Sequence, residues 1–133
     1  MSEAAKEEFG DPLSRPFWRA AERGQLVVQR CVDCRRHQFY PRPFCLGCES
    51  DRIEWVATRG TGVVYSQTRL HMSAGPGFEP PYVVAVVQLD EGPRLVTNIV
   101  GVACAIGDRV RVAWRDRQGA PPVPVFEPIA GAR

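Results

Sequence analysis

Four of the five cysteines in this 133-residue chain follow the pattern C-x2-C-x10-C-x2-C, at Cys31, Cys34, Cys45 and Cys48. No other feature limits the fold so strongly. Two residues between cysteines let a tight turn aim both sulfurs at one point. A second such turn completes a tetrahedron of thiolates, which is the geometry Zn2+ accepts. The spacer is shorter than the roughly fifteen to twenty residues common between such pairs. It still suffices for a hairpin, with Tyr40-Pro41-Arg42-Pro43 as its stiff turn. Four thiolates leave no open coordination position, so the predicted site is structural, not catalytic. Iron takes the same four-sulfur geometry, and the spacing leaves zinc and iron both open. Disulfides are the competing reading, disfavoured in a reducing compartment. A redox motif would need only one pair, beside a βαβ unit that the sequence lacks.

Bulk composition narrows the partners. The cysteine-bearing stretch is too short to fold on hydrophobicity alone, but the 44% hydrophobic content of the whole allows a core beside it. The net charge of +2 lacks the basic excess of a dedicated nucleic-acid binder. Lys6 is the sole lysine, so contacts to carboxylate or phosphate fall to arginine and its planar fork of donors. No window is long and apolar enough to span a bilayer. Met1 to Gly10 is acidic and lacks the apolar centre of a signal peptide, so the expected compartment is the cytoplasm.

The rest of the chain divides into a short helix and a series of strands. Ser14 to Gly24 reads as the helix, with Ser14 as cap, Pro16 in the first turn and Gly24 as the stop. Phe17, Ala20 and Ala21 share one face and Trp18 lies near its edge, either covering the core or docking on another subunit. Leu26 to Arg30 is a strand entering the first cysteine pair. Strands are then expected over Ile53–Thr58, Gly62–Leu70, Tyr82–Leu89, Arg94–Val100, Arg109–Trp114 and Val123–Phe126. The predicted class is mainly β: a helical segment over 1–25, a metal module over 26–52, and a closed or nearly closed barrel of five to six strands over 53–133. His71 to Pro81, rich in glycine and proline, reads as an exposed loop suited to binding.

Other candidate residues carry weaker signals. Cys104, among small apolar neighbours, reads as a buried thiol. His37 lies within the cysteine module, where four sulfurs already complete a site. His71 and Glu79 would make a pair for acid–base work on a bound thioester, the reading of a small enzyme. The sequence contains no nucleophile elbow, phosphate-cradling loop or dinucleotide fingerprint, which counts against an independent enzyme. Tyr65, Tyr82 and Phe78 are able to stack on bases, the reading of a nucleic-acid module, which the near-neutral charge disfavours.

Several of these residues, taken in order, resemble a known family. They are Phe17-Trp18, the run Gly24 to Cys31, the four cysteines, Trp55, Gly60-Thr61-Gly62-Val63-Val64-Tyr65-Ser66, Pro80 to Ala85, and Ile106-Gly107-Asp108-Arg109-Val110. From about Pro16 to about Trp114 the chain resembles the OB-fold proteins with an N-terminal rubredoxin-like zinc ribbon that associate with acyl-CoA enzymes. Arg35 departs from the pattern, standing where the family often has glycine. The resemblance implies a helix, a zinc ribbon and an OB barrel, with structural Zn2+ on the four cysteines. It implies a non-catalytic accessory or scaffold role beside a thiolase-like enzyme, a hydratase of the hot-dog fold or an aldolase, in lipid, steroid or ketide metabolism. On this reading Trp18, Arg69, Phe78 and Tyr82 are candidates to meet the partner or an acyl-CoA ligand.

Overall fold

The computed structural model describes residues 9–71 and 82–129. One helix and eight strands follow in chain order: α1 (Arg15–Glu22), β1 (Val27–Cys31), β2 (His37–Gln38), β3 (Ile53–Ala57), β4 (Thr61–Leu70), β5 (Tyr82–Leu89), β6 (Arg94–Ile99), β7 (Arg109–Arg117) and β8 (Ala120–Pro128). The segment expected to be a docking loop, 72–81, lies outside the described residues, and Phe78 and Glu79 with it.

Helix α1 starts and stops much as its sequence suggests, with one difference. Ser14 occupies the cap position but makes no side-chain cap. Its hydroxyl donates instead to the Asp11 carbonyl, and the Asp11 carboxylate accepts from the Ser14 amide at 2.9 Å. Gly24, at φ 72°, ends the helix. Its amide donates to Ala21 and that of Gln25 donates to Ala20, closing the C-terminal carbonyls in the pattern a left-handed residue permits. Phe17, Ala20 and Ala21 are the buried face, as the spacing predicts. That face packs against both β1 and β8, so one short helix ties the two halves of the molecule together.

The strands form two sheets. One has the order β2-β1-β3 and carries the cysteine module; the other is a closed barrel of order β4-β5-β6-β8-β7. In the barrel β6 and β8 run parallel and the other neighbours are antiparallel. This five-strand closure is the OB arrangement. The sequence reading placed β3 with the barrel, whereas its hydrogen bonds run to β1, from Val27↔Ala57 to Cys31↔Ile53. Alternating residues identify a strand but not its neighbour, which explains the difference.

Inward-facing Val64, Ala85, Val87, Leu89, Leu95, Val110 and Phe126 fill the barrel and join Phe17, Ala20 and Val28 in one continuous core. Gly62 allows β4 and β5 to close, because a Cβ there would sit 2.2 Å from the Gln88 carbonyl oxygen. Tyr65 forms a bulge in β4, where the register with β5 shifts between Val64 and Ser66. At one end of the barrel Arg109 holds Asp90 through two bonds of 2.7 and 3.0 Å. That guanidinium, aided by the Thr61 hydroxyl, keeps the Asp90 carboxyl down at about 2.

Candidate metal centre and its surroundings

The two C-x2-C segments fold as equivalent turns. In the first, the Arg35 amide donates to the Cys31 carbonyl and the Cys31 amide to the Arg36 carbonyl, each at 2.9 Å. In the second, Glu49 donates to Cys45 and Cys45 to Ser50, each at 2.8 Å. Each turn reverses through a left-handed residue, Arg35 at φ 69° and Glu49 at φ 66°. Neither is glycine, so each turn carries a steric cost of about 1–2 kcal/mol that glycine would spare. Arg35 therefore leaves the shape of the first turn intact despite departing from the glycine often found there.

These turns bring the four sulfurs within 4.8 Å of one another. Cys31 and Cys48 lie 3.5 Å apart and Cys34 and Cys45 3.6 Å apart, far beyond an S–S bond. A tetrahedron of thiolates at the usual Zn–S distance has edges of about 3.8 Å, so the four sulfurs fit a tetrathiolate centre. Each turn contributes one buried sulfur, Cys31 and Cys45, and one exposed, Cys34 and Cys48. Backbone amides point at the buried pair: Cys34 at Cys31 (3.5 Å), and Gly47 and Cys48 at Cys45 (3.3 and 3.4 Å). The Cys48 and Gly47 amides lower the Cys45 thiol to about 6, and the Cys34 amide lowers Cys31. The Ser50 amide pulls Cys48 down too, but Cys31, burial and the other two thiols push it up to about 12. Four sulfurs this close resist ionising together unless a cation sits among them, which is the chemistry of a metal-binding donor set. His37 is not one of the clustered donors.

Sequence reading missed the residues that hold the loop between the turns. Gln29, on β1, is 2% exposed, and Gln38, on β2, is 7% exposed. The Gln29 amide donates to the Arg42 carbonyl at 2.9 Å and accepts from the Arg42 amide at 2.8 Å, as a neighbouring strand would. Gln38 donates to Gln29 (2.9 Å) and to the Phe44 carbonyl (3.1 Å), and accepts from the Leu46 amide (3.0 Å). The two amides thereby fix residues 42–46 to the sheet beside the second cysteine turn.

The candidate contact residues fall on separate surfaces. Trp18 is half-buried against the core, edge-on to Phe9 and Phe17 with ring centroids 5.0 and 4.9 Å away. The Arg117 guanidinium lies 5.2 Å from its ring centre. Its surroundings match the core-covering alternative. Trp18 also borders a groove of about 620 Å³ between α1, the Phe39–Arg42 loop, β6 and β8. Arg69 and Tyr82 are brought together in a different cavity, of about 500 Å³. Cys104 lines that cavity and is half-buried, not fully buried as expected, because its loop lies at the barrel surface. His71 is exposed.

Residues 18–54 match the family model described as "ChsH2, rubredoxin-like zinc ribbon domain", and residues 55–115 match "ChsH2, C-terminal OB-fold domain". The chain belongs to this zinc-ribbon, OB-fold family. One relative is a probable enoyl-CoA hydratase alpha subunit of Thermomonospora curvata, 44% identical over 116 residues, which are 84% of this chain and 36% of that protein. The chain thus spans about a third of that hydratase subunit. A DUF35 domain-containing scaffold protein of Methanocaldococcus jannaschii is 36% identical over 87 residues, 62% of this chain and 61% of that protein. Among solved structures, the "Ltp2-ChsH2(DUF35) aldolase" is similar with a TM-score of 0.83 and 39% identity, covering 92% of this chain and 98% of that chain. In this family the ribbon is a zinc ribbon, which favours zinc over iron. Among the described residues, no helix is long and apolar enough to cross a membrane.

Proposed function

We propose that this chain is a non-catalytic zinc-binding accessory subunit of an enzyme complex that acts on acyl-CoA thioesters. The observation that carries this reading is the likeness to the chain from the "Ltp2-ChsH2(DUF35) aldolase", which covers 92% of this chain and 98% of that one, more than the ribbon or the barrel alone. The likeness to a hydratase alpha subunit supports the same class of partner. Cys31, Cys34, Cys45 and Cys48 hold one structural Zn2+, whose chemistry here is to fix the ribbon. The preferred partner is an aldolase or hydratase, with a thiolase-like subunit as the third arrangement.

Any contact between the thioester and this chain is assigned to the cavity of Arg69 and Tyr82. There a guanidinium suits phosphate or carboxylate oxygens, and a phenol borders the same space.

The test is to purify the tagged chain with its copurifying enzyme and assay enoyl-CoA hydration and acyl-CoA aldol cleavage, with each component alone and with both together. Turnover by the enzyme that depends on this chain, and none by the chain alone, is the expected result. Acyl-CoA turnover by the isolated chain, or an enzyme indifferent to its presence, would overturn the reading.

A further inference from the structure

The barrel is closed unequally. Antiparallel neighbours share long ladders, but β6 and β8 meet at the single pair Ile99↔Phe126. Beyond it, the amide of Val100 donates to Phe126 and the hydroxyl of Thr97 to the Pro124 carbonyl. The cause lies in β8, where Pro121, Pro122 and Pro124 carry no N–H and have nothing to donate across the seam. Among the described residues, Arg94 to Asn98 therefore has no ladder partner on its β8 side. Alternate residues of a strand turn their N–H and C=O to one side, so about half of this stretch points its backbone into the seam.

The groove of about 620 Å³ opens along this seam. All five residues from Arg94 to Asn98 line it. A strand presenting a face would contribute every second residue, so β6 shows the groove its edge. The walls are largely apolar: Tyr40 is 55% exposed and Val96 72% exposed. Arg42 also lines the groove, and among the described residues no aspartate or glutamate does. Arg94 borders it, but its guanidinium lies over the Tyr65 ring at 3.7 Å and donates to the Gln88 side chain at 3.2 Å, outside the groove. An open strand edge with apolar side pockets and a cation is complementary to one kind of occupant, an extended apolar segment bearing a carboxylate.

We infer that this seam is where the enzyme partner docks, by adding an extended, acidic-apolar segment to the edge of β6. The inference rests on the accessory-subunit reading above and names the surface through which it works. The segment's backbone pairs with Arg94–Asn98, its apolar side chains lie against Tyr40 and Val96, and its carboxylate meets Arg42.

The experiment uses the zinc-loaded full chain and the enzyme subunit that copurifies with it, expressed separately. Hydrogen exchange is measured on the chain alone and in the complex. Complex formation is expected to slow exchange of the 94–98 amides by about tenfold or more. Val96→Asp and Arg42→Glu should each weaken the dissociation constant by about tenfold or more, leaving zinc content and melting temperature unchanged. Deleting residues 1–8, which include Glu3, Glu7 and Glu8, should change neither.

A complex that forms with unchanged exchange at 94–98 would overturn the seam while leaving the accessory role intact. Protection already present in the lone chain and abolished by the deletion would overturn it in favour of the chain's own N-terminal segment. Protection that rises with the concentration of the lone chain would overturn it in favour of a second copy. An enzyme subunit that binds nowhere on the chain would remove the accessory role, and the seam inference with it.

Discussion

Replacing Gln29 by leucine tests whether the buried amides, and not the cysteines alone, set the shape of the ribbon. Leucine nearly conserves the volume, so the cavity contribution is small and hydrogen bonding decides the outcome. Three bonds are lost: to the Arg42 carbonyl, from the Arg42 amide, and from Gln38. Gln38 keeps its bond to Phe44, so its loss is partial. The two Arg42 backbone groups are left facing a leucine. A buried polar group without a partner costs about 1–3 kcal/mol. Arg42 is exposed, so water reaches part of its backbone and the lower half of that range applies. The sum is about 2–4 kcal/mol, a large share of the roughly 5–15 kcal/mol that a domain has in total. Urea unfolding of the zinc-loaded protein reads this directly, and the corresponding fall in Tm is about 10 °C. Gln118→Ala, in the exposed turn between β7 and β8, is the control and should stay within about 0.5 kcal/mol of the parent. A Gln29→Leu protein equally close to the parent would refute the argument that these amides pin the loop.

Three further outcomes follow from the same geometry. Cys45→Ser removes a buried sulfur from the centre, and because metal binding is folding energy there, zinc content should fall to near zero and the ribbon amides should lose their exchange protection while barrel amides keep theirs; undiminished zinc and melting temperature would refute it. Arg35→Gly and Glu49→Gly relieve the left-handed turns, each raising stability by about 0.5–1 kcal/mol once the entropy of the new glycine is subtracted, as read by urea unfolding. Asp90→Asn lowers stability at pH 7. The folded pKa is depressed from 3.8 to about 2, so the carboxylate's contribution is present above pH 3.8 and lost as pH falls towards 2. Both proteins shed metal alike in acid, so the difference between them should be flat from pH 7 to about 4 and shrink below it, and a difference that shrinks at higher pH would contradict this.

Much of this was readable from residues alone. The cysteine spacing dictated the paired turns, because only tight reversals bring sulfurs two residues apart to one point. A valine-rich run marked β5, in which Ala85, Val87 and Leu89 alternate into the core, and glycine at 24 marked the helix stop. Other features depended on what lies across from a residue in space. β2 is only two residues long, too short to show alternation. β3 has the pattern of a barrel strand and pairs elsewhere. Gln29 and Gln38 look like surface positions, and nothing local reveals that they will bond each other and a backbone segment from residues 42 to 46. The one available hint was polarity out of place: Gln29 sits in a run, Val27 to Cys31, where four of five residues are buried.

The metal centre and the seam are physically connected through the loop between the cysteine turns. Residues 35 to 44 leave one turn and enter the other, so a cation shared by Cys34 and Cys45 fixes both ends of the segment at once. Gln29 and Gln38 fix its middle. On that segment lie Phe39, Tyr40, Pro41 and Arg42, which form one wall of the groove. Phe39 packs on Phe17 at 5.5 Å between ring centroids, and through it the wall leans on α1 and the barrel core. On the accessory-subunit proposal, a structural zinc then has a definite task. It holds the guanidinium of Arg42 and the ring of Tyr40 opposite the edge of β6, at a spacing set before the partner arrives. Preorganisation of this kind acts on affinity, because the ordering cost of the wall is met during folding and not during docking. Its signature is a partner complex that weakens on zinc removal while the barrel itself stays folded.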